Sequence, residues 1–537
     1  MPTPTTWSYT LIRLLFQFAL KVFYGTIVIE GWENIPDNGK ASVLCANHTN
    51  SLTDALLMVT SVPQRKRNML RLTAKATQFG RRTFTSWLIE NAGTLPLKRK
   101  KEDPNADNSH VMEKLVDALR IGDAVCLFPE GLSRFHPSMS PLKTGVARLV
   151  SDVLTKERDN PDYEIYIQNC SITYMHRQHW RSDVLVTFHP PMKFTPRDHP
   201  ELLAPVDFAN IRTVTANMHQ QISSGTFDSP SWTLLRVSKL AARIYSPLGT
   251  EMTLGDHVRV VRTFLEAFKS VQDPNRIHEA ATSDEEGQTE PDSAVAAEVE
   301  RLLAELQWYQ DQLSRWGVKD DRIRRPLPRR KILYRMTVRL SWSLLLFAIS
   351  LPGLCLWVPV FATTFYAVHN FKKTGPIFDT WDEIAQYKLV YGFLSGMAVW
   401  FGTVLLTFPM ALFTVWGVPL LMWLTLRWLE DAIASFRAFM SLLRLMRIGR
   451  PALKEMGEKR AVLYERIMKL AEIISLPLDP EQHYSEKGGG EKGRIQGKWD
   501  SKRRYFSVRR RRKRDWNETL RLYDQVDYPD DDLFPTI

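Results

Sequence analysis

Apolar and polar positions divide this chain into stretches of different texture. From Leu11 to Phe23 nearly every position is apolar, and the exceptions Arg13, Gln17 and Lys21 recur every four residues. That spacing puts them on one narrow stripe of a helix, with apolar surface around the rest. A helix so charged suits a membrane surface better than its interior, with Trp7 at the interface. Residues 26 to about 245 alternate instead. Strands are expected at Thr26–Glu30, Ala41–Cys45, Met69–Thr73, Ala124–Phe128, Glu164–Tyr174 and Val184–Phe188. Helices are expected at Asp54–Ser61, Thr83–Asn91, Ser109–Ile121 and Gly145–Leu154. This alternation predicts an α/β layered domain with both sheet faces covered.

Beyond about 250 the texture changes. Residues 279–297, with Ser283-Asp284-Glu285-Glu286-Gly287 among them, are polar and acidic and read as a flexible linker. Val299–Trp316 has a helical pattern, and Arg324-Arg325-Pro326-Leu327-Pro328-Arg329-Arg330-Lys331 is a basic block. Leu340–Val368 and Leu389–Leu426 then run for 29 and 38 residues without a charged side chain. Each exceeds the roughly 20 residues needed to cross a bilayer. Pro352, Pro359, Pro409 and Pro419 predict kinks or re-entrant turns, and the second run is long enough to hold a hairpin. Two spans would put the basic block and Arg427, Arg437, Arg444, Arg447 and Arg450 on the cytoplasmic side with the α/β domain. Lys372 and Lys373 in the connecting loop argue mildly the other way. The tail carries Gly488-Gly489-Gly490 and then Arg509-Arg510-Arg511-Arg512-Lys513-Arg514, which behind membrane spans reads as a lipid-surface or regulatory segment.

The expected division is therefore a membrane-associating amphipathic helix at 1–25 and an α/β domain at 26–250. A helical and linker region follows at 251–330, a transmembrane or re-entrant helical region at 331–430, and a cytoplasmic helix with a basic, partly disordered tail at 431–537.

Composition narrows the partners. The length of 537 residues leaves room for one catalytic domain and a second structural region. A net charge of +12 and a pI near 9.4 favour anionic partners: a phospholipid surface, a phosphorylated substrate, coenzyme A or nucleic acid. Cys45, Cys126, Cys170 and Cys355 are scattered singly, so neither a disulfide framework nor a zinc site is indicated. A reducing, cytosol-facing domain fits. The first apolar run lacks a small-residue cleavage site and is broken by charge, so no cleavable signal peptide is expected.

The chemistry concentrates in two turns. Asn47-His48-Thr49-Asn50-Ser51-Leu52-Thr53-Asp54 follows a strand-like run and opens an apolar helix. An imidazole beside a carboxylate is the arrangement of a general base, since the carboxylate fixes the tautomer and stabilises the imidazolium. Leu127-Phe128-Pro129-Glu130-Gly131-Leu132-Ser133 also follows a strand-like run, and between the two lies Gly93-Thr94-Leu95-Pro96-Leu97-Lys98-Arg99.

These three motifs, in this order, resemble the signature of the glycerolipid acyltransferases. Five residues separate His48 from Asp54 where the family usually has four, which looks like the fungal glycerol-3-phosphate/dihydroxyacetone-phosphate acyltransferase branch. Pro141-Leu142-Lys143-Thr144-Gly145 and Ile172-Thr173-Tyr174-Met175-His176 add to the likeness, which covers residues 8–250 strongly and the C-terminal half more loosely. The resemblance implies that His48 deprotonates an acceptor hydroxyl and that Asp54 orients it. It implies further that Arg99 binds the substrate phosphate, and that Glu130 and Ser133 bind glycerol phosphate. Gly131 would permit close backbone approach to an anion. Lys143 is a further candidate for a phosphate or coenzyme A contact. The family's fourth motif, in the acyl-binding region, carries a proline that Ile167-Gln168-Asn169-Cys170-Ser171-Ile172 lacks.

The function implied is acylation of the sn-1 hydroxyl of glycerol 3-phosphate, with dihydroxyacetone phosphate as a further acceptor. The partners are acyl-CoA and membrane lipid but not nucleic acid. Acyl-CoA enters as co-substrate, and the chemistry requires no metal or redox cofactor. The implied location is an integral membrane protein of the endoplasmic reticulum, catalytic domain toward the cytoplasm. Two alternatives stand beside this: a lysophosphatidate acyltransferase, and a non-catalytic membrane scaffold on the same fold.

Overall fold

The computed structural model describes residues 3–80, 82, 84–91, 93–98, 108–177, 182–246, 252–272, 289–320, 323, 328–374 and 383–486. These form two compact units. One holds the described residues up to 228 together with those within 374–389, and the other holds the remainder.

The first unit is built on an eight-stranded sheet: β1 (Thr26–Glu30), β2 (Ala41–Ala46), β3 (Leu70–Lys75), β4 (Leu95–Leu97), β5 (Ala124–Leu127), β6 (Ile165–Tyr174), β7 (Asp183–Phe188) and β8 (Met192–Phe194). The order is β1-β7-β6-β2-β5-β3-β4, with β8 against β6. β2 is central and runs parallel to both β5 and β6, while β6 meets β7 and β8 antiparallel. Every residue of β2 is buried, as a strand covered on both faces requires. Alternation sends Val43 and Cys45 into one apolar core with Leu115, Leu119, Val150 and Met218. These partners come from α4 (Ser109–Arg120), α5 (Gly145–Lys156) and α6 (Phe208–Ser223). The other face is covered by α1 (Trp7–Phe23), α2 (Leu52–Ser61) and α3 (Phe84–Asn91), whose Phe16, Leu56 and Ile89 meet around Leu72 of β3.

All six expected strands and four expected helices are present, within two residues at most ends. Two three-residue strands, β4 and β8, were not anticipated, because three residues are too few to show a period of two. β4 contains Pro96, which an edge strand tolerates since its missing N–H faces no partner.

Along α1, Arg13 of the Arg13, Gln17, Lys21 stripe turns inward, where it is buried and donates to the Val62 carbonyl. The outward row is Trp7, Leu11, Leu14 and Phe18. Sequence shows which positions share a stripe but not which stripe turns inward.

The second unit is helical: α7 (Trp232–Tyr245), α8 (Leu254–Gln272), α9 (Thr289–Trp316), α10 (Arg329–Thr374), most of α11 (Ile384–Leu406), α12 (Ala411–Ile448), α13 (Arg450–Ile473) and α14 (Pro480–Glu486). The expected linker is helical from Thr289 onward, while 279–288 and the basic tail lie outside the described residues. α10 and α12 pack antiparallel. Ser343 Oγ donates to the Ala432 carbonyl (2.9 Å) and Trp357 Nε1 to that of Met422 (2.9 Å). Three segments are long and apolar enough to cross a membrane: Arg329–Lys373, Ile384–Leu406 and Phe408–Ile448. The second apolar run thus contains the hairpin its length allowed, with Pro409 in the short turn Phe408–Met410. Pro352, Pro359 and Pro419, expected to kink or turn the chain, remain within continuous helices.

Candidate active site

The site begins with strand register. Cys45 of β2 pairs with Leu127 of β5, so chains leaving these adjacent parallel strands stay side by side. Three residues further on in each lie His48 and Glu130. Carboxyl ends of parallel strands are where α/β sheets build their sites, and here two motifs distant in sequence converge.

His48 Nδ1 lies 2.9 Å from Asp54 Oδ2. The carboxylate is wholly buried, whereas the His48 side chain retains 15% exposure. Asp54 Oδ2 also accepts from the backbone N–H groups of Thr49 (2.8 Å) and Asn50 (2.7 Å), and Oδ1 from the Tyr174 hydroxyl (2.5 Å). Such a bond set satisfies the oxygens of a buried carboxylate and fixes its position. Burial first, and the adjacent Asp54 charge second, push the Tyr174 phenol well above its ordinary value, so it remains a donor. With Asp54 accepting at Nδ1, the neutral imidazole carries its proton there and presents Nε2 as the basic nitrogen. The ring stacks on Phe128, centroids 4.3 Å apart and planes 22° apart, which holds its plane.

The turn between His48 and Asp54 is framed by side chains. His48 N donates to Glu130 Oε1 (2.6 Å), Thr49 and Asn50 donate to Asp54, and Ser51 N donates to Ser133 Oγ (2.9 Å). Glu130 Oε2 accepts in addition from Ser140 N (3.1 Å), and burial raises this carboxyl above the ordinary glutamate range. Asn47 clamps the neighbouring strand end, giving Nδ2–H to the Ile172 carbonyl (2.9 Å) and accepting the Ile172 N–H (2.7 Å).

The other expected site residues divide. Gly131 has φ +73°, and a Cβ there would lie 2.5 Å from Lys143 Nζ, so the glycine lets the lysine ammonium pass over the turn. His48, Asp54, Glu130, Gly131, Ser133 and Lys143 are therefore gathered at or beside one turn. Arg99 lies outside the described residues. β4 is parallel to β3, which is parallel to β5, so the chain reaching Lys98 emerges at the same end of the sheet. Ile167–Ile172 runs inside β6 with every residue buried, Asn169 Nδ2 giving a 2.7 Å bond to Gln221 Oε1. Asn47, Phe128 and Tyr174 were not identified as supporting residues from sequence. Their roles depend on strand register, which no local pattern reveals.

Comparisons with known proteins bear on the chain's family. Residues 26–173 match the profile of the Acyltransferase family, and 294–375 match the glycerol-3-phosphate acyltransferase 2 C-terminal domain. An uncharacterized acyltransferase of Schizosaccharomyces pombe is 27% identical over 263 residues, 49% of this chain and 35% of that protein. Glycerol-3-phosphate O-acyltransferase 2 of Saccharomyces cerevisiae is 24% identical over 294 residues, 53% of this chain and 36% of that protein. The matched region thus spans about a third of these relatives' length. Fold, paired motif turns and profile matches together define an acyltransferase-domain protein. More particularly, it is similar to fungal glycerol-3-phosphate acyltransferases, with a match to the C-terminal domain of that type following the acyltransferase domain.

Proposed function

We propose that this protein moves an acyl chain from acyl-CoA to the sn-1 hydroxyl of glycerol 3-phosphate, and also accepts dihydroxyacetone phosphate. The observation that carries this reading is the His48–Asp54 pair, with Nε2 as the basic nitrogen at the carboxyl end of a central strand. Nε2 takes the proton from the acceptor hydroxyl as its oxygen attacks the thioester carbonyl. The tetrahedral intermediate collapses by breaking the C–S bond, and the imidazolium returns the proton to the departing coenzyme A sulfur. An ester and a free thiol result. Asp54 stabilises the transient imidazolium. Arg99 and Lys143 hold the phosphate, and Glu130, Gly131 and Ser133 shape the glycerol phosphate pocket. The apolar outward row of α1 rests on the membrane surface. A charged thioester donor does not cross a bilayer unaided, so the catalytic unit faces the cytoplasm, on endoplasmic reticulum membrane.

The test uses membranes containing wild type or His48→Ala and labelled acyl-CoA. Glycerol 3-phosphate, dihydroxyacetone phosphate and lysophosphatidate are supplied separately. Label is expected in a lysophosphatidate-type product with wild type, reduced about 10²–10⁴-fold in the variant. Label entering phosphatidate alone would move the protein to lysophosphatidate acylation. No transfer by inserted wild type would favour a scaffold.

A further inference from the structure

We infer that Gln386, carried on the first turn of α11 and 332 positions beyond Asp54, is a positioning residue for the catalytic turn. The inference rests on the reading of His48 and Asp54 given above. Four of the five consecutive backbone N–H groups from His48 to Leu52 are accepted by Glu130, Asp54 and Ser133. The fifth, that of Leu52, is accepted by Gln386 Oε1 at 3.3 Å. The same oxygen accepts the Ser51 hydroxyl at 3.0 Å. Both contacts lie within the sheet-containing unit, to which this first turn of α11 belongs.

The bonds matter because of what Ser51 does. It sits at φ 48°, ψ −133°, a backbone conformation that ordinarily belongs to glycine. A side chain in that region is strained and persists only where the surroundings over-determine it. Ser51 is also the residue preceding α2, yet its hydroxyl makes no capping bond to that helix. The hydroxyl turns to Gln386 instead. Ser133 and Gln386 therefore hold the two N–H groups that fix this bend, one on each side of the Ser51 α-carbon. The bend at Ser51, three residues before the carboxylate that orients His48, in turn sets the start of α2. Removing the Gln386 acceptor frees Ser51 to relax and lets Asp54 shift relative to the imidazole, which slows proton transfer without removing a substrate contact.

The test compares full-length wild type, Gln386→Leu, which keeps bulk without an acceptor, and Gln386→Glu, which keeps the acceptor oxygen and its reach. All are assayed for acyl transfer in nanodiscs. Gln386→Leu is expected to lower kcat about tenfold with KM for both substrates within about twofold, and Gln386→Glu to restore most of the loss. Amide exchange of the 48–54 turn should quicken in Gln386→Leu and not in Gln386→Glu. An unchanged kcat in Gln386→Leu, a rise confined to KM, or a Glu variant as impaired as the Leu variant would each overturn the inference. Should wild type itself transfer no acyl group, the functional assignment falls. The exchange measurement then decides the positioning role alone, and equal exchange in all three proteins overturns it.

Discussion

The sheet-centred unit and the α10–α12 helices bury opposite things. Around β2 the apolar side chains are inside, and the catalytic carboxylate is satisfied where it is buried: Asp54 accepts four hydrogen bonds. Along α10–α12 the large apolar side chains point outward, with Phe365 at 73% exposure, Leu406 at 87% and Trp416 at 77%. Hydrogen bonds such as Ser343 to Ala432 instead lie between the helices. The sheet core is arranged against water, whereas α10–α12 carry the apolar outer surface of membrane-crossing helices. The difference teaches where chemistry can be kept. A buried carboxylate survives only inside a scaffold that supplies donors at fixed positions, and the sheet does so by register.

Three substitutions test that contrast. The largest effect is expected from Asp54→Asn. The amide loses the acceptor that sets the His48 tautomer and turns an N–H₂ toward backbone donors, so kcat should fall about 10³–10⁴-fold. Membrane extraction of the same variant should match wild type; a parallel loss of insertion would mean the two regions are not separately specified. Next is Val358→Arg, on the outward face of α10 where Val358 is 60% exposed. If lipid surrounds it, an arginine there costs about 2.5–3.5 kcal/mol of insertion, read as a reduced carbonate-resistant fraction against a Val358→Leu control. Normal insertion would break the comparison. The smallest is Glu130→Gln, which keeps one acceptor where two N–H groups are bound and should destabilise by about 1–3 kcal/mol. Its pH dependence sharpens the point. Burial raises the Glu130 carboxyl, so the native protein holds this proton more tightly than the unfolded chain. That contribution is fully present below the unfolded pKa and is lost as pH rises through the folded value. The Tm advantage of wild type over the variant should therefore shrink as pH rises through that window; a growing advantage would contradict the assignment.

Much of the architecture is legible in the sequence alone. β1 spans the residues its apolar pattern indicates, and β2, β5 and β6 begin within one residue of expectation, because period and β-branched content are local properties. The long uncharged runs read as membrane-crossing helices for the same reason, length against bilayer thickness. The turn that carries His48 and Asp54 was also visible, since both sides of that pair lie within seven residues.

What only the tertiary structure decided is which distant groups meet that turn. Glu130 and Ser133 reach it because β5 lies beside β2 in register, and Tyr174 because β6 lies on the other side. Gln386 reaches it from the first turn of a helix whose long apolar run reads as a membrane span. Which stripe of α1 turns inward was likewise settled by packing. Periodicity is a property of a segment and can be read along it. Register, facing and long-range hydrogen bonds are properties of pairs of segments, and no single segment contains them.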